Sequence, residues 1–391
     1  MQRYDTYKDS GVKWLGEIPS HWEVIPMKYC MQIKNGMDYK QVVADYGYPV
    51  IGSGGQFAYA SDYMHDGEVV FFGRKGTIDK PLHFKGKFWA VDTMFYAIPK
   101  KIYGKFLYYV GLTIPYKYYS TATALPSMTQ TDLGNNPICF PPLEEQTAIA
   151  NYLDTATAKI DAAIAQQQKM IDLLNERKQI IINRAVTKGL NPNAKMKDSG
   201  VEWIGEVPDG WEMMRMRYLC SITTGNKDTI NRVDDGSYPF YVRSPKVERI
   251  NTYSYDGEAV LMAGDGVGAG KVFHYVNGKF DYHQRVYNFY NIKKIKAKLL
   301  FYYMKSHFRY VIEQLSAKST VDSVRLNMIQ DFLVVIPPMQ EQLDLIEYLD
   351  SQMKNLDDSI SMFENQISLL QERKQIIINE VVTGKVKVVN Y

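Results

Sequence analysis

The run Gly264-Asp265-Gly266-Val267-Gly268-Ala269-Gly270-Lys271 comes nearest in this sequence to a nucleotide-phosphate loop. Such loops cradle phosphates with backbone N–H groups, and they need a glycine five residues before the one that precedes the lysine, then Ser or Thr after it. Asp265 and Val272 hold those two places, so the chemistry is not supplied. The run also fails as G-x-G-x-x-G, because Ala269 stands at the last position. Its counterpart, Gly73-Arg74-Lys75-Gly76, points to a tight polar or basic loop. Asn136-Pro137-Ile138-Cys139 has a faint likeness to the adenine-methyltransferase tetrapeptide, but the second proline and the aromatic residue are missing. The histidines at 21, 65, 83, 274, 283 and 307 match no metal-binding spacing and read as surface or core residues. Cys30, Cys139 and Cys220 lie far apart with no C-x-x-C pair, which fits a reducing compartment.

With local catalytic motifs absent, the elements themselves carry the reading. The 391 residues are 46% apolar and 23% charged, with a net charge of +3. That is enough to bury cores in two or three domains and too little charge for a disordered chain. A mean hydropathy of −0.30 and no run of 18 apolar residues speak against a membrane-spanning protein. The first residues lack an apolar signal region, so the expected location is cytoplasmic. Thirty tyrosines, each with an apolar face and a polar tip, suit a contact surface.

The chain is an internal duplication. KDSGVKWLGEIPSHWE from Lys8 returns as KDSGVEWIGEVPDGWE from Lys197, an offset of 189. PPLEEQ from Pro141 returns as PPMQEQ from Pro337, an offset of 196, and the match runs on to LLNERKQIIIN (Leu173–Asn183) and LLQERKQIIIN (Leu369–Asn379). Weaker echoes lie between them. HDGEVVFFGRKG (His65–Gly76) matches YDGEAVLMAGDG (Tyr255–Gly266), and Phe106–Tyr109 resembles Leu300–Tyr303. Each half is therefore a divergent head followed by a closely repeated segment.

The repeated segments read as long helices. Each follows a Pro-Pro pair and runs over 40 residues without Gly or Pro, to about Lys188 and Thr383. In the first, Ile149, Leu153, Ala156, Ile160, Ala163, Gln167, Met170, Leu174 and Ile181 form a heptad stripe. In the second, Leu345, Leu349, Gln352, Leu356, Phe363, Leu370 and Ile377 sit at the same phases. At 1.5 Å per residue each helix is about 60 Å long. Each must bury its stripe, and the obvious partner is the other copy, which duplication makes antiparallel. The heads, rich in short Val/Ile/Phe/Tyr runs, read as α+β units with a mostly antiparallel sheet. Asp66-Gly67, Asp256-Gly257 and Asn277-Gly278 are expected as hairpin turns, with a helix near Lys105–Gly111 and another near Ala297–Arg309. The expected divisions are 1–140, 141–188, 189–336 and 337–391. The last of these carries 5 basic against 9 acidic residues, while the heads are mildly basic.

Two divergent heads, each followed by a near-identical helix after Pro-Pro-x-x-Glu-Gln, with paired S-G-V-x-W-x-G-E starts, resemble the specificity subunits of type I restriction–modification systems. The likeness covers essentially the whole chain. It implies an α+β fold of two β-rich target recognition domains, 1–140 and 189–336, joined by a long antiparallel two-helix coiled coil with pseudo-twofold symmetry. It implies a non-catalytic subunit of a phage-defence complex that reads a bipartite duplex DNA site. Two adenine-methylating modification subunits would dock on it, and restriction (translocase/nuclease) subunits could join. No cofactor is expected in this chain; S-adenosylmethionine, ATP and magnesium would belong to partner subunits. The stripe residues Ile149, Leu153, Ile160, Leu174, Ile181, Leu345, Leu349, Leu356, Phe363, Leu370 and Ile377 would form the coiled coil and the docking region. Its length would set the gap between half-sites about one DNA turn apart, roughly 34–36 Å.

Arg suits guanine and Asn or Gln suits adenine in the major groove. On that basis the candidate DNA-binding residues are Ser53, Gln56, Arg74, Lys75 and Lys80 in the first head, and Arg243, Lys246, Gln284 and Arg285 in the second. Tyr116, Tyr118, Tyr119, Tyr253 and Tyr255 are candidates for stacking or for ordinary packing. Glu176, Arg177, Glu372 and Arg373 have two readings, inter-helix ion pairs or docking contacts. Against DNA recognition stand two other classes: an adaptor whose heads bind proteins or glycans, and an enzyme whose site is assembled without a local motif.

Overall fold

A computed structural model describes residues 2–119, 126–316 and 323–388, with backbone alone at 119 and 314–316. The chain divides into unit 1, Met1–Gln168 with Asn365–Tyr391, and unit 2, Lys169–Glu364. Unit 1 is built on a seven-stranded sheet of β1 (Met31–Asn35), β2 (Val43–Ala44), β3 (Tyr48–Gly52), β4 (Gly55–Ala60), β5 (His65–Gly73), β6 (Leu82–Ala90) and β7 (Met94–Pro99), in the order β1-β7-β5-β6-β3-β4-β2. Against it pack, among other helical segments, α1 (Gly104–Gly111) and the first part of α2 (Leu143–Lys188). Unit 2 repeats the plan with six strands, β8 (Ser221–Thr224), β9 (Tyr238–Tyr241), β10 (Glu248–Ile250), β11 (Tyr255–Ala263), β12 (Phe273–Tyr282) and β13 (Val286–Tyr290), in the order β8-β13-β11-β12-β9-β10. Its helices are α3 (Ala297–Ser316) and most of α4 (Met339–Val382). Each sheet is antiparallel except at one matching place, where β3 runs parallel to β6 (Val50 opposite Trp89) and β9 to β12 (Phe240 opposite Asp281).

The period of two along a strand explains why β5 reads as an unbroken apolar run. Val70 and Phe72 enter the core shared with Phe106, Leu107 and Leu153, while Val69 and Phe71 enter a second core with Phe88, Trp89 and Tyr96. In β11, Val260 and Met262 face the helices, and Ala259 and Leu261 face Val276 and Phe280. The expected hairpin turns lie elsewhere. Gly67 sits mid-strand opposite Gly86, and Gly257 opposite Gly278, all with positive φ. At each of these facing positions the backbone conformation is one that any Cβ would strain. The hairpin loops are instead 74–81, with a single glycine, and the glycine-rich run 264–272. The phosphate-loop-like run therefore joins strand to strand and opens no helix.

Both long helices start after their proline pairs. At 46 and 44 residues they are about 69 and 66 Å long. In unit 1, Ile149, Leu153 and Ile160 share a core with Ile377, Ile378, Val381 and Val382. In unit 2, Ile182, Ala185 and Val186 share one with Leu345, Leu349, Met353 and Leu356. Within each unit, then, the head of one helix meets the tail of the other, an antiparallel pairing. Leu174 and Ile181 are half-buried against the unit 2 core and Leu370 against that of unit 1; Phe363 is also half-buried. The strict heptad stripe drifts off the buried face. Met170 is exposed and Ile171 buried; Ala156 and Gln352 are half-buried beside buried Thr157 and Met353. From Ile149 to Ala185 the buried positions follow 3.6 residues per turn rather than 3.5, the period of a nearly straight helix. Inter-helix ion pairs fall on Asp161–Lys374 (2.7 Å) in unit 1 and on the repeat-equivalent Lys178–Asp357 in unit 2. Glu176, Arg177, Glu372 and Arg373 face solvent.

The Pro-Pro-x-x-Glu-Gln motif fastens each head to its helix. The Trp22 indole donates to Glu145 (3.0 Å) and the Trp211 indole to Glu341 (2.9 Å). Buried Gln146 donates to the Pro141 carbonyl and accepts from the Tyr103 N–H, both at 2.8 Å. Buried Gln342 donates to the Pro337 and Lys294 carbonyls, each at 2.8 Å, and accepts from the Lys296 N–H at 2.7 Å. About two turns further on, Lys105 and Tyr109 hold Asp154, and Lys298 and Tyr302 hold Asp350. These pairs shift the expected match by one residue: Phe106–Tyr109 corresponds to Leu299–Tyr302.

Candidate functional site

In each unit two loops converge on the turn between the last two long strands, making a three-loop site. In unit 1 this is Val91–Thr93. The Val91 N–H donates to Ile51 at the end of β3 (3.2 Å), and the Arg74 N–H, at the end of β5, donates to Thr93 (2.8 Å). In unit 2 the turn is His283–Arg285. The His283 N–H donates to Tyr241 at the end of β9 (2.9 Å), and the Gly264 N–H, at the end of β11, donates to Arg285 (2.8 Å). A fourth segment closes each site from below, through Gly36 and Gly225. A Cβ on either glycine would stand 1.9 Å from the Val91 or Tyr282 carbonyl oxygen, so only glycine fits.

The shared backbone makes positions equivalent one by one. Ser53 takes the place of Arg243, Arg74 of Gly264, Lys75 of Asp265 and Thr93 of Arg285. The bridges Lys75–Ser127 and Asp265–Ser323 confirm the alignment. One scaffold thus presents different chemistry in its two copies.

In unit 1, Arg74 and Lys75 are exposed, and the Arg74 guanidinium lies over the Phe95 ring at 5.9 Å. Ser53 is half-buried in the β3–β4 turn, and Gln56 is exposed on β4. Lys80 is exposed further along the hairpin loop. In unit 2, three of the four candidates come together. The Asp265 carboxylate receives Arg243 Nη1 at 3.1 Å and lies 3.5 Å from Arg285 Nε. Gln284 donates to Asp228 at 2.8 Å. Lys246 stands apart, exposed, 3.8 Å from Glu248. Behind them buried His283 accepts the Arg285 N–H at Nδ1 (2.9 Å). Burial first, then the nearby Arg243 charge, lowers the His283 pKa and keeps the ring neutral. Desolvation of the Asp228 carboxyl is outweighed by hydrogen bonds from the Ile230 N–H and Gln284, which lower its pKa.

Asp265, Asp228 and Lys227, whose carbonyl accepts the Gln284 N–H (2.8 Å), belong to the site although sequence pattern does not mark them. Asp265 stands opposite Lys75 in the repeat, but one Asp in a glycine-rich loop carries no signal of its own. Of the aromatic candidates, Tyr116 is core: it is buried and donates to the Gly111 carbonyl at 2.9 Å. Tyr255 packs half-buried on Phe280 and Tyr290. Tyr118 and Tyr253 are exposed, and the Tyr119 side chain lies outside the described residues.

A family model described as Type I restriction modification DNA specificity domain matches residues 19–171 and again 208–369. The MjaVIII specificity subunit of Methanocaldococcus jannaschii, a type I restriction enzyme component, is 25% identical over 84% of this chain and 78% of its own length. The EcoDI specificity subunit of Escherichia coli is 28% identical over 46% of this chain and 40% of its own, so this match spans less than half of that relative. A solved structure described as the structural basis underlying complex assembly and conformational transition of the type I R-M system superposes with a TM-score of 0.68. It is 15% identical and covers 94% of this chain and 99% of that chain, a likeness of fold. Two matched copies of the specificity domain, spread over most of its length, make this chain a member of the type I restriction–modification specificity family.

Proposed function

We propose that this chain is a non-catalytic recognition subunit that reads a bipartite duplex DNA site, one half with each unit. The observation that carries the reading is the repeated three-loop site, with Ser53, Lys75 and Thr93 in one copy where Arg243, Asp265 and Arg285 stand in the other. Equal backbones with unequal hydrogen-bonding side chains are what two different half-sites read by one scaffold require. In this reading the long helices dock two modification subunits, to which restriction subunits can bind. The cofactors of methylation and translocation belong to those chains. Leu173 and Ile180 on α2 are exposed, and so are their repeats Leu369 and Ile376 on α4. One apolar pair a heptad apart thus occurs once per unit, supporting one docking surface for each of two modification subunits. Among the described residues no helix is long and apolar enough to cross a membrane.

Co-expression with the modification subunit, followed by mapping of methylated adenines, tests the proposal. The expected result is one two-part sequence with a fixed gap. Methylation without a two-part sequence, or none in a complex that assembles, overturns it. The helices pass from one unit into the other, so inserting seven residues into each should lengthen the gap.

A further inference from the structure

The unit 2 site holds two arginines on one carboxylate, and this arrangement goes further than general DNA affinity. Asp265 is 20% exposed and lies between Arg243, 46% exposed, and Arg285, 63% exposed. The backbone behind the three is fixed by the Gly264-to-Arg285 and Val324-to-Gly264 hydrogen bonds, at 2.8 and 2.7 Å. A carboxylate between two guanidiniums is ill suited to gripping phosphate. It cancels one of the two positive charges and repels the phosphate oxygens. What it supplies is direction, because an arginine already held in place loses less side-chain freedom on binding. Arg285 meets Asp265 through Nε, which leaves both terminal nitrogens for a second partner. Arg243 meets it through Nη1, which leaves Nε and Nη2. Either remaining pair matches the O6 and N7 acceptors of guanine in the major groove. Val267, at the tip of the same loop, is 97% exposed, an apolar side chain placed where a thymine methyl could cover it.

We propose that unit 2 reads guanine through Arg243 and Arg285, with Asp265 as the positioning residue, and that unit 1 reads its half-site by other contacts. This rests on the DNA-recognition reading above. At the equivalent places unit 1 has Ser53, Lys75 and Thr93, which cannot form a carboxylate-held arginine pair.

The test uses the full complex with its modification subunits, carrying the wild-type chain or Arg243→Ala, Arg285→Ala, Arg285→Lys or Asp265→Asn. Each complex selects from duplexes randomised over both half-sites, at two salt concentrations. In the wild type, one half-site should require guanine. Each Arg→Ala change should relax one guanine position in that half-site by about 5- to 150-fold and leave the other half-site unchanged. Arg285→Lys, which keeps the charge but not the planar fork, should relax the same position as Arg285→Ala. Asp265→Asn should relax both positions without weakening the salt dependence. The guanine assignment is overturned if the variants lower binding to all sequences alike with a shallower salt slope, the mark of phosphate contacts. It is also overturned if no guanine position responds. A wild-type complex that selects no two-part sequence overturns the underlying DNA reading instead. Unchanged thermal unfolding of the conservative Lys and Asn variants shows that any loss is one of recognition.

Discussion

Replacing Gln342 by Leu isolates what the Glu-Gln motif does. The side chain is 1% exposed and serves three backbone groups, the Pro337 and Lys294 carbonyls and the Lys296 N–H. Leucine has similar bulk and no polar atoms, so all three lose their partner. A buried orphaned group costs about 1–3 kcal/mol, and the two that are partly buried fall at the low end because water can reach them. The sum is about 3–5 kcal/mol for Gln342→Leu. Gln146 serves only two groups, the Pro141 carbonyl and the Tyr103 N–H, so Gln146→Leu should cost about 2–4 kcal/mol. Each unit holds about half of the chain. At that size about 1 kcal/mol moves the midpoint by roughly 2–4 °C, so Gln342→Leu should lower the unit 2 transition by roughly 6–20 °C. Calorimetry of the two variants reads both transitions in one scan. Gln342→Glu keeps the acceptor and loses the donors, so it should be at least as damaging. The reasoning fails if both Leu variants unfold at the wild-type midpoints, or if the Glu variant is tolerated.

His307 supplies a pH test. The ring is fully buried, stacked on Tyr303 at 4.7 Å, and burial lowers its pKa to about 4. The unfolded chain takes up the proton near 6.5 and the folded chain does not. Stability is therefore complete above pH 6.5 and falls by about 3 kcal/mol as pH drops towards 4. Urea midpoints against pH should show this slope, flattened in His307→Phe; identical slopes would falsify it. Gly36→Ala and Gly225→Ala should each disrupt their site and cost more than about 1 kcal/mol, while Gly54→Ala, with open space around its Cβ, should be neutral by thermal unfolding. A double-mutant cycle on Asp161 and Lys374 should give a coupling of about 1 kcal/mol or less, since water reaches both side chains, Asp161 at 53% and Lys374 at 30% exposure; a coupling well beyond that would mean the pair is far less hydrated than its exposure indicates.

The helices are legible in the sequence because proline pairs mark their starts and neither Gly nor Pro interrupts the stripe that follows. Their buried face is legible only to within a residue, since a heptad count and a straight helix drift apart by about 20° per heptad. The Asp-Gly and Asn-Gly pairs mislead because the strongest local signal for a turn is also what a strand needs where its backbone takes a positive φ, as at Gly67, Gly257 and Gly278. Arg243 and Arg285 stand out by residue type alone. Their meeting from distant places in the chain depends on the parallel pairing of β9 with β12, which leaves no mark in the sequence. Tyr116 reads as a stacking candidate, yet its hydroxyl is satisfied by the Gly111 carbonyl, a contact that no spacing rule reveals.

Unit 2 is one unbroken stretch of chain, while unit 1 needs residues on both sides of it. The Lys385 ammonium caps the Leu15 and Glu17 carbonyls at 2.8 and 2.7 Å, the Tyr7 hydroxyl donates to Gly384 at 3.1 Å, and Gln2 bridges to Lys387. During synthesis the first-made half therefore finishes last. Between Gln168 and Asn365 the ribosome adds nearly 200 residues, roughly 10–40 s at ordinary elongation rates. Throughout that interval Ile149, Leu153 and Ile160 lack the partners that α4 brings. The nascent chain thus carries a sticky, half-covered face whose protection depends on the speed of translation and on whatever holds it in the meantime.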